Sequence, residues 1–107
     1  MQPQLGRCAE HLRKAVVHLA CSSGTPQEKL SAIYNSGGFG TMLAEDFPTG
    51  SLRNGYLIIR NAVIKSSEPQ IIKNIAAMSD DEAYRVIEEI CDLSDSVAYA
   101  LGAQSSP

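Results

Sequence analysis

The residues best suited to chemistry lie near the N-terminus, where two cysteines and two histidines share one helical stretch. Cys8 and His11 are one helical turn apart, as are His18 and Cys21. Thiolate and imidazole are the preferred protein ligands of zinc. However, His11 and His18 lie seven residues apart, roughly 10 Å along a helix axis, so they cannot both bind one ion through bonds near ~2 Å. The pattern predicts no metal and no cofactor, with both histidines flanking an apolar stripe.

A glycine-rich stretch, NSGGFGTMLAEDFP at 35–48, could instead cradle a phosphate. A Walker loop requires a preceding strand and a terminal Gly-Lys-Ser/Thr, and a dinucleotide loop requires Gly-x-Gly-x-x-Gly. A helical pattern precedes this stretch, and no lysine or arginine lies between Lys29 and Arg53. The Gly-x-x-Gly of KH-type RNA loops is matched, but the sheet of such domains is not. We therefore interpret the glycines as a helix stop and a close-packing joint.

Paired carboxylates near the C-terminus are the third candidate for chemistry. Asp81, Glu88 and Asp95 repeat every seven residues, which places them on one outward helix face. An exposed carboxylate does not gain the raised pKa that acid catalysis needs. The face is thus predicted to be solvated or to meet a basic partner. No Ser-His-Asp or HExxH pattern is present, so an enzyme, with a site lined by His11, His18 or Tyr34, is the third interpretation.

The elements that must position these residues are predicted to be helices throughout. Apolar residues recur at three- and four-residue steps over 4–21 and 79–101. Thr25 with Glu28 and Ser79 with Glu82 form capping boxes that begin two helices. The first of these helices either stops at Gly37 or continues to about Glu45. The fold class is therefore all-α, a single domain over 1–107, built as a compact bundle of four to five helices. The long last helix forms its spine, and 102–107 is a frayed tail after Gly102.

The stretch SLRNGYLIIRNAVIK is β-branched, but no second convincing strand exists to pair with it, so it is predicted to be helix. On a helical wheel, Leu57 and Ile64 fall within the polar arc that contains Arg53 and Arg60. Two exposed aliphatic side chains beside two arginines are typical of an interface edge. The alternative is that this helix is central and buried on both sides.

The bulk numbers describe an ordinary globular chain with an uneven charge distribution. The 107 residues have a net charge of −3 and are 44% hydrophobic. Residues 1–65 carry seven basic and four acidic groups, and residues 66–107 carry two basic and eight acidic groups. The segment 71–90 has the outline of a helix-turn-helix, but its second helix would present acids to phosphates. The C-terminal half is therefore not expected to bind nucleic acid. A regulator that binds nucleic acid through the basic residues Arg7, Arg13 and Lys14 remains the second interpretation.

Three cysteines without close pairing, at Cys8, Cys21 and Cys91, fit a reducing compartment. No apolar run approaches the roughly 20 residues of a membrane span. We expect a cytoplasmic protein–protein interaction module without catalytic activity, acting as an accessory or adaptor subunit or as a homodimer. Its predicted contact residues are Arg53, Leu57, Arg60, Ile64, Asp81, Glu88 and Asp95.

Overall fold

The computed structural model describes residues 5–35, 38–64 and 70–105, and this part of the chain is all-α with no strand. The α-helices are α1 (Leu5–Cys21), α2 (Pro26–Asn35), α3 (Ser51–Ile64), α4 (Ile71–Ala76) and α5 (Asp80–Ser105). Two short 3₁₀ turns, Gly38–Thr41 and Ala44–Asp46, lie between α2 and α3. The predicted fold class is confirmed, and so is the helical assignment of the β-branched stretch that becomes α3.

Both predicted capping boxes are present. The Thr25 hydroxyl accepts from the Glu28 N–H at 3.1 Å while Glu28 accepts from the Thr25 N–H at 3.3 Å. At α5, the two reciprocal bonds between Ser79 and Glu82 are each 3.2 Å long. These bonds satisfy N–H groups that have no partner inside the helix, so they fix where α2 and α5 begin.

The long helix α5 is the spine of the bundle, because α1, α2 and α3 all pack against it. With 26 residues it is about 39 Å long at ~1.5 Å per residue. One side of it is fully buried, through Ala83, Val86, Ile90, Leu93 and Val97. The five residues recur at three- and four-residue steps, which is the spacing that the sequence predicted for its core stripe.

Gly102 does not end α5, contrary to the sequence-based prediction, because the helix continues to Ser105. A single glycine costs a helix only about 1 kcal/mol relative to alanine. The alanine and glutamine that follow are strong helix formers, so the last turn persists. The predicted helix end at Gly102 is therefore wrong, the fraying of 102–105 stays a prediction, and 106–107 lie outside the described residues.

The helix that begins at Pro26 ends at Asn35, so it does not run unbroken to Glu45. Gly37 lies outside the described residues. The chain then turns through the two 3₁₀ segments. Gly40 packs on an aromatic ring there, since a Cβ at this position would lie 3.6 Å from Tyr34 Cδ1.

A cluster that we call the Arg7–Asp46 clasp holds this connection against α1. Asp46 is buried, and its Oδ2 lies 3.3 Å from Arg7 Nη1 and accepts the Leu43 N–H at 2.9 Å. Arg7 also donates to the Thr41 hydroxyl at 2.8 Å. The carboxylate is thus paired and hydrogen-bonded, as a buried charge must be.

Two further side chains, Tyr56 and Asn74, tie α3 to its neighbours. Tyr56 stacks on Phe47 and donates its hydroxyl to the Met42 carbonyl at 2.6 Å. At the C-terminal end of α3, the buried Asn74 amide of α4 donates to the Val63 and Ile64 carbonyls, each at 2.8 Å. These carbonyls belong to the last turn of α3, where no intrahelical donor remains. Within the described residues, none of the helices has the length and apolar character required to cross a membrane.

Candidate protein-binding surface

A cleft lies between the C-terminal part of α3 and the N-terminal part of α5, and we call it the α3–α5 groove. The helices approach closely at Gly55, where a Cβ would lie 3.3 Å from Leu93 Cδ1. Beyond that contact they separate and enclose about 230 Å³. The groove is lined by Ile58, Ile59, Asn61, Ala62, Met78, Glu82, Arg85, Val86 and Glu89.

The floor of the groove is apolar and one rim carries an exposed aliphatic side chain. Ile59, Val86 and Met78 are buried and form the floor. Ile58 stands at the rim with 55% of its surface exposed. Met78 is held at the base because Gln27 Nε2 donates to its carbonyl and to Asp80 Oδ1, each at 2.9 Å. The recess is therefore built into the fold rather than left by a loose side chain.

The α5 rim of the groove carries charges of both signs. Glu82 is engaged at the helix start through its capping box. Arg85 is exposed and Glu89 is half-buried. Among residues 5–35, 38–64 and 70–105, neither side chain forms an ion pair or a side-chain hydrogen bond. An apolar recess bordered by unpaired charges has the layout of a protein-binding surface, with an anchor pocket and a polar rim.

The residues predicted on α3 are not the exposed edge that the sequence suggested. Leu57 and Ile64 are half-buried and pack against the core, so their predicted exposure is wrong. Arg53 is also half-buried, and its guanidinium donates twice to the Phe47 carbonyl, at 3.1 and 2.9 Å. Arg60 alone of the four is exposed. The alternative interpretation, a central helix buried on both sides, does not describe α3 either, because Asn54, Ile58 and Asn61 are exposed.

Arg60 and Ile64 instead border a second cleft of about 180 Å³ between α2, α3 and the 3₁₀ turns. Tyr34, Phe39 and Tyr56 also line it. Burial raises the pKa of Tyr34, with a smaller contribution from Tyr56. The Tyr56 hydroxyl already donates to the Met42 carbonyl. The aromatic side chains of this cleft are therefore part of the packing between the 3₁₀ turns and α3.

The predicted acidic residues of α5 lie away from the groove. Asp81, Glu88 and Asp95 are all exposed, and none of them forms an ion pair within the described residues. Asp81 and Glu88 lie on the outer face of α5 near the exposed ring of Tyr84, whereas Asp95 and Tyr99 line a further cleft beside the start of α3. The structure therefore does not join them to the α3 residues in one site, and their contact with a basic partner stays a prediction.

The Cys8–His11 pair is not arranged for nucleophilic chemistry. Burial, reinforced by the Asp46 carboxylate and opposed by Arg7, raises the pKa of the Cys8 thiol to about 11. Burial, together with the positive charges of Arg7 and Lys14, lowers the pKa of His11. A reactive cysteine needs the thiolate form and access to solvent, whereas Cys8 is completely buried. The part of the chain that the structure describes also contains no group of three or more potential metal ligands.

The three basic residues predicted to bind nucleic acid are engaged within the chain. Arg7 belongs to the Arg7–Asp46 clasp, and Arg13 and Lys14 both pair with Glu10 on α1. Lys14 Nζ lies 3.9 Å from Glu10 Oε1. Each predicted phosphate-binding cation thus has an acid beside it, which reduces the local positive potential that nucleic-acid binding relies on.

Sequence reasoning missed Ile58, Arg85 and Met78 as surface determinants. Arg85 could have been singled out from the sequence, because it is the only basic residue in the 26-residue stretch that forms α5. Comparison of the chain with protein-family models, with curated proteins and with solved structures finds no match. The assignment of function therefore depends on the geometry of these surfaces.

Proposed function

We propose that this chain is a protein–protein interaction module that binds its partner through the α3–α5 groove and has no catalytic activity of its own. The observation that carries the proposal is an exposed isoleucine, Ile58, beside an apolar recess whose rim holds two charges that form no ion pair among the described residues. An accessory subunit and a homodimer both use a surface of this kind.

The physical basis is the free energy of covering Ile58 and the groove floor. Complete burial of an isoleucine side chain is worth about 1.5–3 kcal/mol, and roughly half of this side chain is still exposed. Interfaces gain most of their affinity from a few such anchors in well-packed recesses. Arg85 and Glu89 would contribute orientation and specificity more than affinity, because rim charges remain accessible to water.

The competing functions are supported less well. An enzyme built on His11 or His18 would need an activated partner, and the nearest thiol, Cys8, is buried with its pKa raised to about 11. A nucleic-acid regulator built on Arg7, Arg13 and Lys14 would need cations that are not already paired with acids. We further propose a cytoplasmic location, because the three cysteines are free and a reducing compartment keeps them so.

Site-specific photo-crosslinking in cells tests this function. A benzophenone amino acid replaces Ile58 in one variant and Val17 of α1 in the control, because these two side chains are exposed to 55% and 51%. We expect a protein adduct of defined mass from position 58 and none from position 17. Equal adducts from both positions, or no adduct from position 58, would contradict the proposed function.

A further inference from the structure

We infer that the occupant of the α3–α5 groove is a second copy of this chain, bound about a two-fold axis. The inference rests on the proposed function, because it names the partner of the same groove. Its support comes from the shape and the charge pattern of that surface.

The shape of the surface is self-complementary. Ile58 protrudes beside a recess of about 230 Å³ whose floor is formed by Ile59, Val86 and Met78. This volume is sufficient for one aliphatic side chain. A two-fold interface brings the same patch of both copies together, so a patch must carry both a protrusion and the recess that receives it. Here both lie side by side, and each Ile58 would fill the recess of the other copy.

The charges on the α5 rim, Arg85 and Glu89, can also pair across the same two-fold axis. Arg85 and Glu89 are four residues apart, about 6 Å along the helix axis. When two α5 helices meet antiparallel, Arg85 of one copy faces Glu89 of the other, and the two-fold axis repeats the pair. One arrangement therefore satisfies both charges that have no ionic partner among the described residues of the single chain. A different protein would need the inverse pattern, whereas the second copy supplies it by symmetry.

One pair of acids opposes this arrangement, because the register that sets Arg85 opposite Glu89 also sets the exposed Asp92 opposite Glu82 of the other copy. Asp81, Glu88 and Asp95 do not line the groove. Glu82 does line the groove, but its carboxylate accepts the Ser79 N–H at the helix start. The patch is small compared with the 1,200–2,000 Å² that stable interfaces bury, so we expect roughly micromolar or weaker association.

Charge reversal followed by analytical ultracentrifugation over a concentration series tests the inference. We expect Arg85→Glu and Glu89→Arg each to weaken self-association at least about tenfold, because like charges then face each other across the axis. An equimolar mixture of the two variants restores complementary pairs, and so does the double variant. The dissociation constants of the mixture and of the double variant should both lie within about threefold of the wild-type value. The matched control is Glu88→Arg, which makes the same change one residue away, outside the groove, and should leave association unchanged.

The rescue separates a lost contact from a lost fold, because neither single variant can restore pairing if it is unfolded. A wild-type chain that stays monomeric at every concentration overturns the inference, and so does a mixture that fails to associate. If the wild type is monomeric but position 58 still crosslinks to another protein, the inference that the partner is a second copy is wrong. The proposed function then still stands. A monomer with no crosslink overturns both.

Discussion

At the Arg7–Asp46 clasp a buried carboxylate meets its cation inside the chain, whereas at the α3–α5 groove Arg85 and Glu89 have no ionic partner within the described residues. Asp46 also accepts a backbone N–H, and Arg7 also reaches Thr41. Both regions combine charge with apolar surroundings, yet only in the first do the described residues pair the charges with each other.

The difference shows how to separate structural charges from binding charges. A buried charge must be satisfied where it lies, because burying it unpaired costs far more than one interaction returns. The clasp thus explains how the connection between α2 and α3 is held on α1. A charge left unpaired beside an exposed aliphatic side chain contributes nothing to folding, and it is available for association. The two regions should therefore respond oppositely to substitution.

The largest effect should come from the groove itself, where adjacent isoleucines have opposite environments. Ile59 is 1% exposed and Ile58 is 55% exposed. Ile59→Ala should lower the free energy of unfolding by about 2–5 kcal/mol, because it removes buried methyl groups and leaves a cavity. Ile58→Ala should change it by less than about 0.5 kcal/mol. Urea denaturation of both variants at a concentration below self-association measures this, and equal losses would mean that the rim is part of the core.

The second prediction is that the buried environment of the Arg7–Asp46 clasp slows the chemical labelling of Cys8. Cys8 is completely buried beside Asp46 with a pKa of about 11, up from 9.0, whereas Cys21 is exposed. At pH 8 the thiolate fraction of Cys8 should be about 100-fold below that of an ordinary thiol. We expect labelling of Cys8 to be at least that much slower than labelling of Cys21, and to accelerate as pH rises toward 11.

Mass spectrometry of the labelled peptides separates the cysteines, and labelling in denaturant provides the control in which the difference disappears. Comparable rates for Cys8 and Cys21 in the native chain would show that α1 does not hold this thiol inside.

Removing one charge from each region should give unequal losses of stability. Asp46→Ala leaves the Leu43 N–H and the Arg7 guanidinium without this acceptor, so we expect a loss of about 1–3 kcal/mol. Glu89→Ala removes a side chain with no ion pair in the described chain, so its effect should stay within about 0.5 kcal/mol. Thermal and urea unfolding of the two variants, at equal concentration, measure the contrast. A loss for Glu89→Ala as large as that for Asp46→Ala would remove the distinction between the two regions.

The smallest effect concerns a glycine away from both regions. A Cβ at Gly102 would meet nothing within 4 Å, so Gly102→Ala should raise stability by up to about 1 kcal/mol through helix propensity alone. Gly55→Ala is the comparison, because its Cβ would press on Leu93 at the closed end of the groove. We expect a smaller gain there or a loss. A clear loss for Gly102→Ala, measured by thermal unfolding, would mean that the last turn of α5 does not form.

The parts of the fold that follow from local chemistry were predictable from the sequence. The capping boxes at Thr25 and Ser79 and the stripe of α5 depend only on residues within a turn or two, and the structure confirms them. The helical form of α3 followed from the lack of a partner strand. The helix end predicted at Gly102 was wrong because the residues that follow this glycine still favour a helix.

The candidate site could not be predicted to the residue, because it depends on where neighbours lie around a helix. A helical wheel gives the angles between Leu57, Ile58 and Ile64 but not which flanks are covered. Leu57 and Ile64 are partly buried against the core, whereas Ile58 at the groove is exposed. Arg7 and Asp46 are 39 positions apart in sequence, so no local pattern could pair them.

The amide of Asn74 has a consequence for how this chain can change over evolution. Because it binds the last carbonyls of α3 from α4, it joins the two elements directly, whatever the length of the chain between Ile64 and Gln70. Doubling the length of a connecting segment costs only about 0.6 kcal/mol in closure entropy. Insertions and deletions in divergent copies of this sequence should therefore accumulate between these two positions, while Asn74 itself resists replacement.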